Sequence, residues 1–179
     1  VNRLSTLRML TRYKAWANEI TFRTMMALAE EELLRPRATR YGDILHTLNH
    51  VYVIDDIFRA HLEGGGHRYT ARNTERGDSV AGLWGRTQAL DRWYVGYAEQ
   101  LRETLLDEVV EFEFIGGGSG AMTREAIVLH VVNHGTYHRG FVGDMLYQVP
   151  TAFQSNDLTV FLRDRAISEE RAQCSATSR

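Results

Sequence analysis

His130, His134 and His138 recur at four-residue steps in the stretch His130-Val-Val-Asn-His134-Gly-Thr-Tyr-His138-Arg139-Gly140. On an α-helix, with about 3.6 residues per turn and about 1.5 Å of rise per residue, this spacing draws one stripe of imidazoles, each about 6 Å from the next. His46 and His50 repeat the spacing upstream, so five of the seven histidines fall in two arrays. A row of imidazoles makes a poor core face and a good set of metal ligands. The chain is thereby constrained to two helices whose histidine faces either meet across a metal or are hydrogen-bonded within a core.

The flanking residues carry helical periodicity. Residues 3–30 read as a first helix, with Leu4, Leu7, Leu10, Tyr13, Trp16, Ala17, Ile20 and Met25 as its core stripe. Glu30-Glu31-Glu32 reads as a solvated surface and Arg35-Pro36 as a loop. Residues 42–63 read as a second helix, capped by Asp43 and stopped by Gly64-Gly65-Gly66. The polar, glycine-rich connection 64–78 is long enough for a crossover to a parallel helix. Residues 79–107 read as the third helix, with Ser79 as cap. Val109–Ile115 alternates apolar and acidic residues before Gly116-Gly-Gly-Ser-Gly120, the pattern of a short β-hairpin. Thr123 caps the fourth helix, which carries the three-histidine stripe and closes at Pro150. A short helix over 157–166 follows Asn156. The expectation is an all-α four-helix bundle over 1–167, with a hairpin before the fourth helix and a frayed polar tail over 168–179.

Bulk properties exclude several functions. With 179 residues, 44% hydrophobic and 25% charged, the chain reads as one ordinary globular domain. A net charge of −2 offers no nucleic-acid surface. The single cysteine, Cys174, excludes an intrachain disulfide and a thiolate cluster, and fits a cytoplasmic setting. No apolar run approaches the roughly 18 residues of a membrane span, and no signal peptide is expected. Gly135 stands where a His-Glu-x-x-His metalloprotease places its glutamate. There is no Gly-x-Ser-x-Gly elbow, and the 116–120 glycines lack the Lys-Ser/Thr of a phosphate loop.

A lone histidine on a helix is usually a core residue, but two arrays on two helices favour metal. His134 and His138 would supply one edge of the coordination sphere, and the 42–63 helix a third ligand, either His46 or His50 by spacing alone. Three protein ligands leave a position open, the pattern of a catalytic site. Imidazole ligation suits zinc, nickel, copper or iron. His46, His130, Asp55 and Asn49 are candidates to receive a ligand's second ring N–H. A histidine one turn from a ligand, His130 or His46, can equally act as a substrate-facing acid or base.

These residues together resemble the signatures of the DinB family of metal-binding proteins. Asn133-His134-Gly-Thr-Tyr-His138-Arg139-Gly140 is similar to its Asn-His-x-Thr-His-His-Arg-Gly motif. Thr47-Leu48-Asn49-His50 with Asp55, and Tyr13-Lys-Ala-Trp16-Ala17-Asn18, resemble its second- and first-helix motifs, and Asn156-Asp157-Leu158 its C-terminal one. The resemblance implies an up-down-down-up bundle, a homodimer, and a divalent nickel or zinc ion on His50, His134 and His138, selecting His50 over His46. Related proteins use low-molecular-weight thiols such as bacillithiol or mycothiol, so a metal-dependent thiol transferase acting on a small molecule is expected. A metal-dependent hydrolase and a non-catalytic metal-binding bundle are the alternatives. Two positions depart from the pattern: Tyr137, where histidine is common, and Phe58, where tryptophan is.

Overall fold

A computed structural model describes residues 2–74, 79–151 and 153–166. The predicted 168–179 tail, with Cys174, lies outside them. The chain is mostly helical: α1 (Arg3–Met26), α2 (Glu30–Leu33), α3 (Ile44–Leu62), α4 (Val80–Gln100) and α5 (Arg124–Leu146). Residues 158–166 are also helical. The strands β1 (Val109–Glu113) and β2 (Ser119–Thr123) form one antiparallel hairpin, with Val109 opposite Thr123 and Glu113 opposite Ser119. The long helices pack in a ring in which α1 touches α4 and α5, and α3 touches the same two. None of the described helices is long and apolar enough to cross a membrane.

The caps read from sequence form. Asp43, Ser79 and Thr123 accept from the backbone N–H of His46, Gly82 and Ala126, each answering an orphan donor of a first turn. Gly64, at φ 73°, ends α3 in the left-handed region. Gly120 serves the hairpin differently. A Cβ there would lie 2.5 Å from Phe112 Cε2, so only glycine lets the Phe112 ring lie across β2 and towards α3.

Two helix ends and one helix face differ from the sequence reading. The third helix stops at Gln100, not 107. Leu101 turns extended so that it and Leu106 both enter the core. Arg8 donates to the freed carbonyls of Ala98 and Glu99, an end cap supplied from α1 that no local signal encodes. The first helix stops at Met26, and Glu30–Glu32 form the turn α2 rather than bare surface. Leu33 is buried there, and Glu32 pairs with Arg35 and Arg37. The inward line of α1 is also rotated from the apolar stripe. Leu7, Thr11, Lys14, Asn18, Thr21 and Met25 are all buried. Met9, Leu10 and Trp16 instead flank a separate cluster that seats Phe161 of the C-terminal helix. Apolar periodicity could not find a core line whose middle is polar.

That polar middle ties four helices together. Lys14 Nζ lies 2.8 Å from Asp55 Oδ2 and 2.6 Å from Asp91 Oδ1. Asn18 Nδ2 donates to Asp91, and Arg139 Nη1 donates to Asn18 Oδ1 at 2.9 Å. All five residues are buried, and their two cations balance two anions. Burial pulls the Lys14 ammonium's pKa down, but the two carboxylates more than offset it and hold it above the ordinary value. Replacing Lys14 by methionine strands both carboxylates without a counter-ion. The expected cost is about 3–5 kcal/mol of unfolding free energy, read from urea titrations. A loss below about 1 kcal/mol would mean that the lysine does not hold this junction.

Candidate metal centre

The packing of α3 on α5 brings His50 to His134 and His138. One ligating atom from each lies within 4.8 Å of the other two. His50 Nε2 stands 3.2 Å from His134 Nε2. His50 Nδ1 is 2.8 Å from the Arg72 carbonyl. A carbonyl only accepts, so Nδ1 carries the proton and Nε2 keeps its lone pair facing the other two rings. Bonds of about 2.0–2.1 Å to a tetrahedral ion would place two nitrogens about 3.3–3.4 Å apart, close to the 3.2 Å seen. A direct His50–His134 hydrogen bond explains that pair but leaves His138 unanswered, whereas a cation answers all three. His134 Nδ1 and His138 Nδ1 are buried with no hydrogen-bond partner among the described residues. Three convergent imidazole nitrogens fit a borderline divalent ion.

Tyr41 was not singled out from sequence, yet it stacks on His50 at 4.3 Å between ring centroids and meets His138 edge-on at 5.5 Å. It lies in a loop, where periodicity carries no information. The Arg72 carbonyl was also missed, since a backbone acceptor has no sequence signature. None of His46, His130, Asp55 or Asn49 takes its place on His50. Asp55 is paired with Lys14. Asn49 acts indirectly: its side chain bonds Thr74 and accepts from Asn73, holding the stretch that carries Arg72 against α3.

The two remaining array histidines separate. His46 meets Tyr41 edge-on at 6.5 Å and does not join the triad. His130 lies one turn before His134, 5.5 Å away between ring centroids, and 4.8 Å from Phe58. With His50 and His134 it lines a cavity of about 290 Å³ between α3, α5 and the hairpin. Of the two departures from the motif pattern, Phe58 lines this cavity and Tyr137 does not. Tyr137 is largely exposed, its ring edge-on to His138 at 5.0 Å.

A sequence profile of the DinB family matches residues 4–166. The chain belongs to the DinB family. It is 25% identical over 159 residues to Protein DinB of Bacillus subtilis (strain 168), covering 86% of this chain and 91% of that protein. Its fold is similar to the crystal structure of a DinB-like protein from Bacillus cereus ATCC 10987. The TM-score is 0.55 at 15% identity, covering 78% of this chain and 90% of that one.

Burial and mutual repulsion keep the centre of this DinB-family chain neutral. Burial, then the neighbouring imidazoles, lowers His134 from 6.5 to about 2. His138 falls to about 4 through burial and then the nearby His50 and Arg40. Burial also lowers His50, His61 and His130. Neutral imidazoles are ready ligands. For the metal-free protein the sign follows from linkage. Below pH 6.5 the unfolded chain binds protons that the folded one refuses, so stability falls as pH drops from about 6.5 towards 4. Asp55, raised to about 6 by burial against the pull of Lys14, acts the other way between 3.8 and 6, but it is one group against five. In chelator, the urea midpoint should fall steadily from pH 7 to 5, and less steeply for His134→Gln. A flat midpoint over that range would contradict the burial of these rings in the neutral form.

Proposed function

We propose that His50, His134 and His138 hold one divalent ion, nickel or zinc, and that the protein is a metal-dependent enzyme acting on a small molecule, with thiol transfer as its reaction class. The observation that carries this is the convergence of three neutral imidazoles, two of which, His50 and His134, line an apolar cavity. No fourth His, Cys, Asp or Glu joins the cluster among the described residues. An open position beside a cavity suits catalysis better than structural binding. When bound, such an ion supplies Lewis-acid chemistry, lowering the pKa of a thiol or of water.

The chain's own residues supply the rest. The Arg72 carbonyl orients His50, and Tyr41 covers the His50 ring from the loop side. Phe58, Ile54 and Ile57 line the cavity with apolar surface that disfavours bulk water. His130 faces the same cavity and is the candidate to take or return a proton at a ring nitrogen. His46, outside the cavity lining, is left a supporting role behind Tyr41. The thiol-transfer class, with a low-molecular-weight thiol as partner, rests on the family resemblance. So do the up-down-down-up order of helix directions and a homodimer, whereas a cytoplasmic setting rests on the single cysteine, Cys174. A hydrolase would use the same open position with water.

His134→Ala should leave the protein folded and strip it of stoichiometric metal, read by elemental analysis of protein loaded with nickel or zinc. Unchanged metal content would remove the site assignment. The loaded wild type should turn over members of a panel of thiols paired with electrophiles. Turnover confined to esters or amides would identify a hydrolase. Silence in both panels, with metal bound, would point to a non-catalytic bundle.

A further inference from the structure

The cavity beside the triad is built to a narrower specification than metal access requires. Its floor is α3, through Ile54, Ile57 and Phe58, and its far wall is the hairpin, through Phe112, Ile115 and Met122. The rings in it hold one another in set orientations. Phe58 meets Phe112 edge-on at 5.4 Å and 79°. His61 stacks on Phe112 at 4.9 Å and 20°, and His130 meets Phe58 at 4.8 Å. Phe112 can take this pose only because Gly120 opposite has no Cβ. The His61 and His130 rings form no hydrogen bond with any other described residue, so their polar atoms remain available. Arg72 and Glu113 are the charged members of the lining.

We propose that this cavity is a specificity subsite for a small, flat apolar group, of the size of a single aryl ring, carried by the molecule whose polar end meets the triad; the proposal rests on the open metal site argued above. Three features support it. The volume of about 290 Å³ lies at the low end of ligand pockets and is ample for one ring. Rings at centroid distances of 4.5–7 Å, edge-on or offset, are the arrangement aromatic groups prefer, and Phe58, Phe112, His61 and His130 give the lining four rings already packed in that way. The cavity is also continuous with His50 and His134, so one molecule can reach both ends.

Two hydroxamates separate the head from the body. Acetohydroxamate carries a metal-binding head alone, and benzohydroxamate adds one aryl ring. Titrated calorimetrically into nickel-loaded protein, benzohydroxamate should bind about tenfold tighter or more, from the added buried apolar area. Met122→Trp fills the cavity from the hairpin side. It should abolish that preference while leaving acetohydroxamate affinity within about twofold, which also controls for the intrinsic metal affinities of the two heads. Ile115→Trp serves the same purpose if the first variant does not fold. Equal affinities in the wild type, or a preference that survives filling of the cavity, would overturn the subsite and leave the open metal site standing. Failure of both hydroxamates to bind metal-loaded protein would overturn the open-site reading and the subsite with it.

Discussion

A lysine ammonium enclosed by protein on every side is the constraint on which this architecture rests. Lys14 has no water to solvate it, and its compensation must come from carboxylates brought by other helices. Asp55 comes from α3 and Asp91 from α4. Asn18, also on α1, passes the network on to Arg139 of α5. Each long helix therefore has one residue that must stand at a given height and rotation. A slip of one turn in any of them would leave a buried charge unpaired, a cost of several kcal/mol that no apolar contact could restore. The histidines inherit that register: His50 precedes Asp55 by little more than a turn, and His138 adjoins Arg139.

This divides the motif residues into two groups. His50, His134 and His138 form the candidate metal centre. Tyr13, Asn18, Asp55 and Arg139, also part of the family-like motifs, lie in or against the charge network, with the Arg139 guanidinium 5.7 Å from the centre of the Tyr13 ring. Gly135 belongs to the second group. A Cβ there would lie 3.1 Å from Arg139 Nη1 and 3.6 Å from Lys14 Cε. The position that excludes a His-Glu-x-x-His protease is thus where α5 makes room for the buried cations.

The two regions are electrostatically opposite, which suits them to different work. The network is charged, balanced and closed. The triad is neutral, with buried nitrogen atoms that lack partners, and it abuts an apolar cavity. A divalent cation would bring the charge that the triad lacks, and the rigid network behind it would keep three ligands from rearranging around that charge.

Much was legible from the chain alone. The spacing of the histidines, the apolar periodicity and the caps at Asp43, Ser79 and Thr123 are local, since they depend on residues within one or two turns. They sufficed for the helices, the hairpin and the pairing of the two histidine arrays, and the motifs chose His50 over His46. Only the tertiary structure decided what depends on contacts distant in sequence. It showed that the α1 core line is polar at Lys14 and Asn18. It ended α4 at Gln100 under the side chain of Arg8, and it oriented His50 by the Arg72 carbonyl. It also set Phe112 of the hairpin against Phe58 to wall the cavity. Sequence patterns register what a residue's own helix or strand demands. They do not register a backbone carbonyl, a loop tyrosine or a charge neutralised from another helix, because those partners leave no periodic trace.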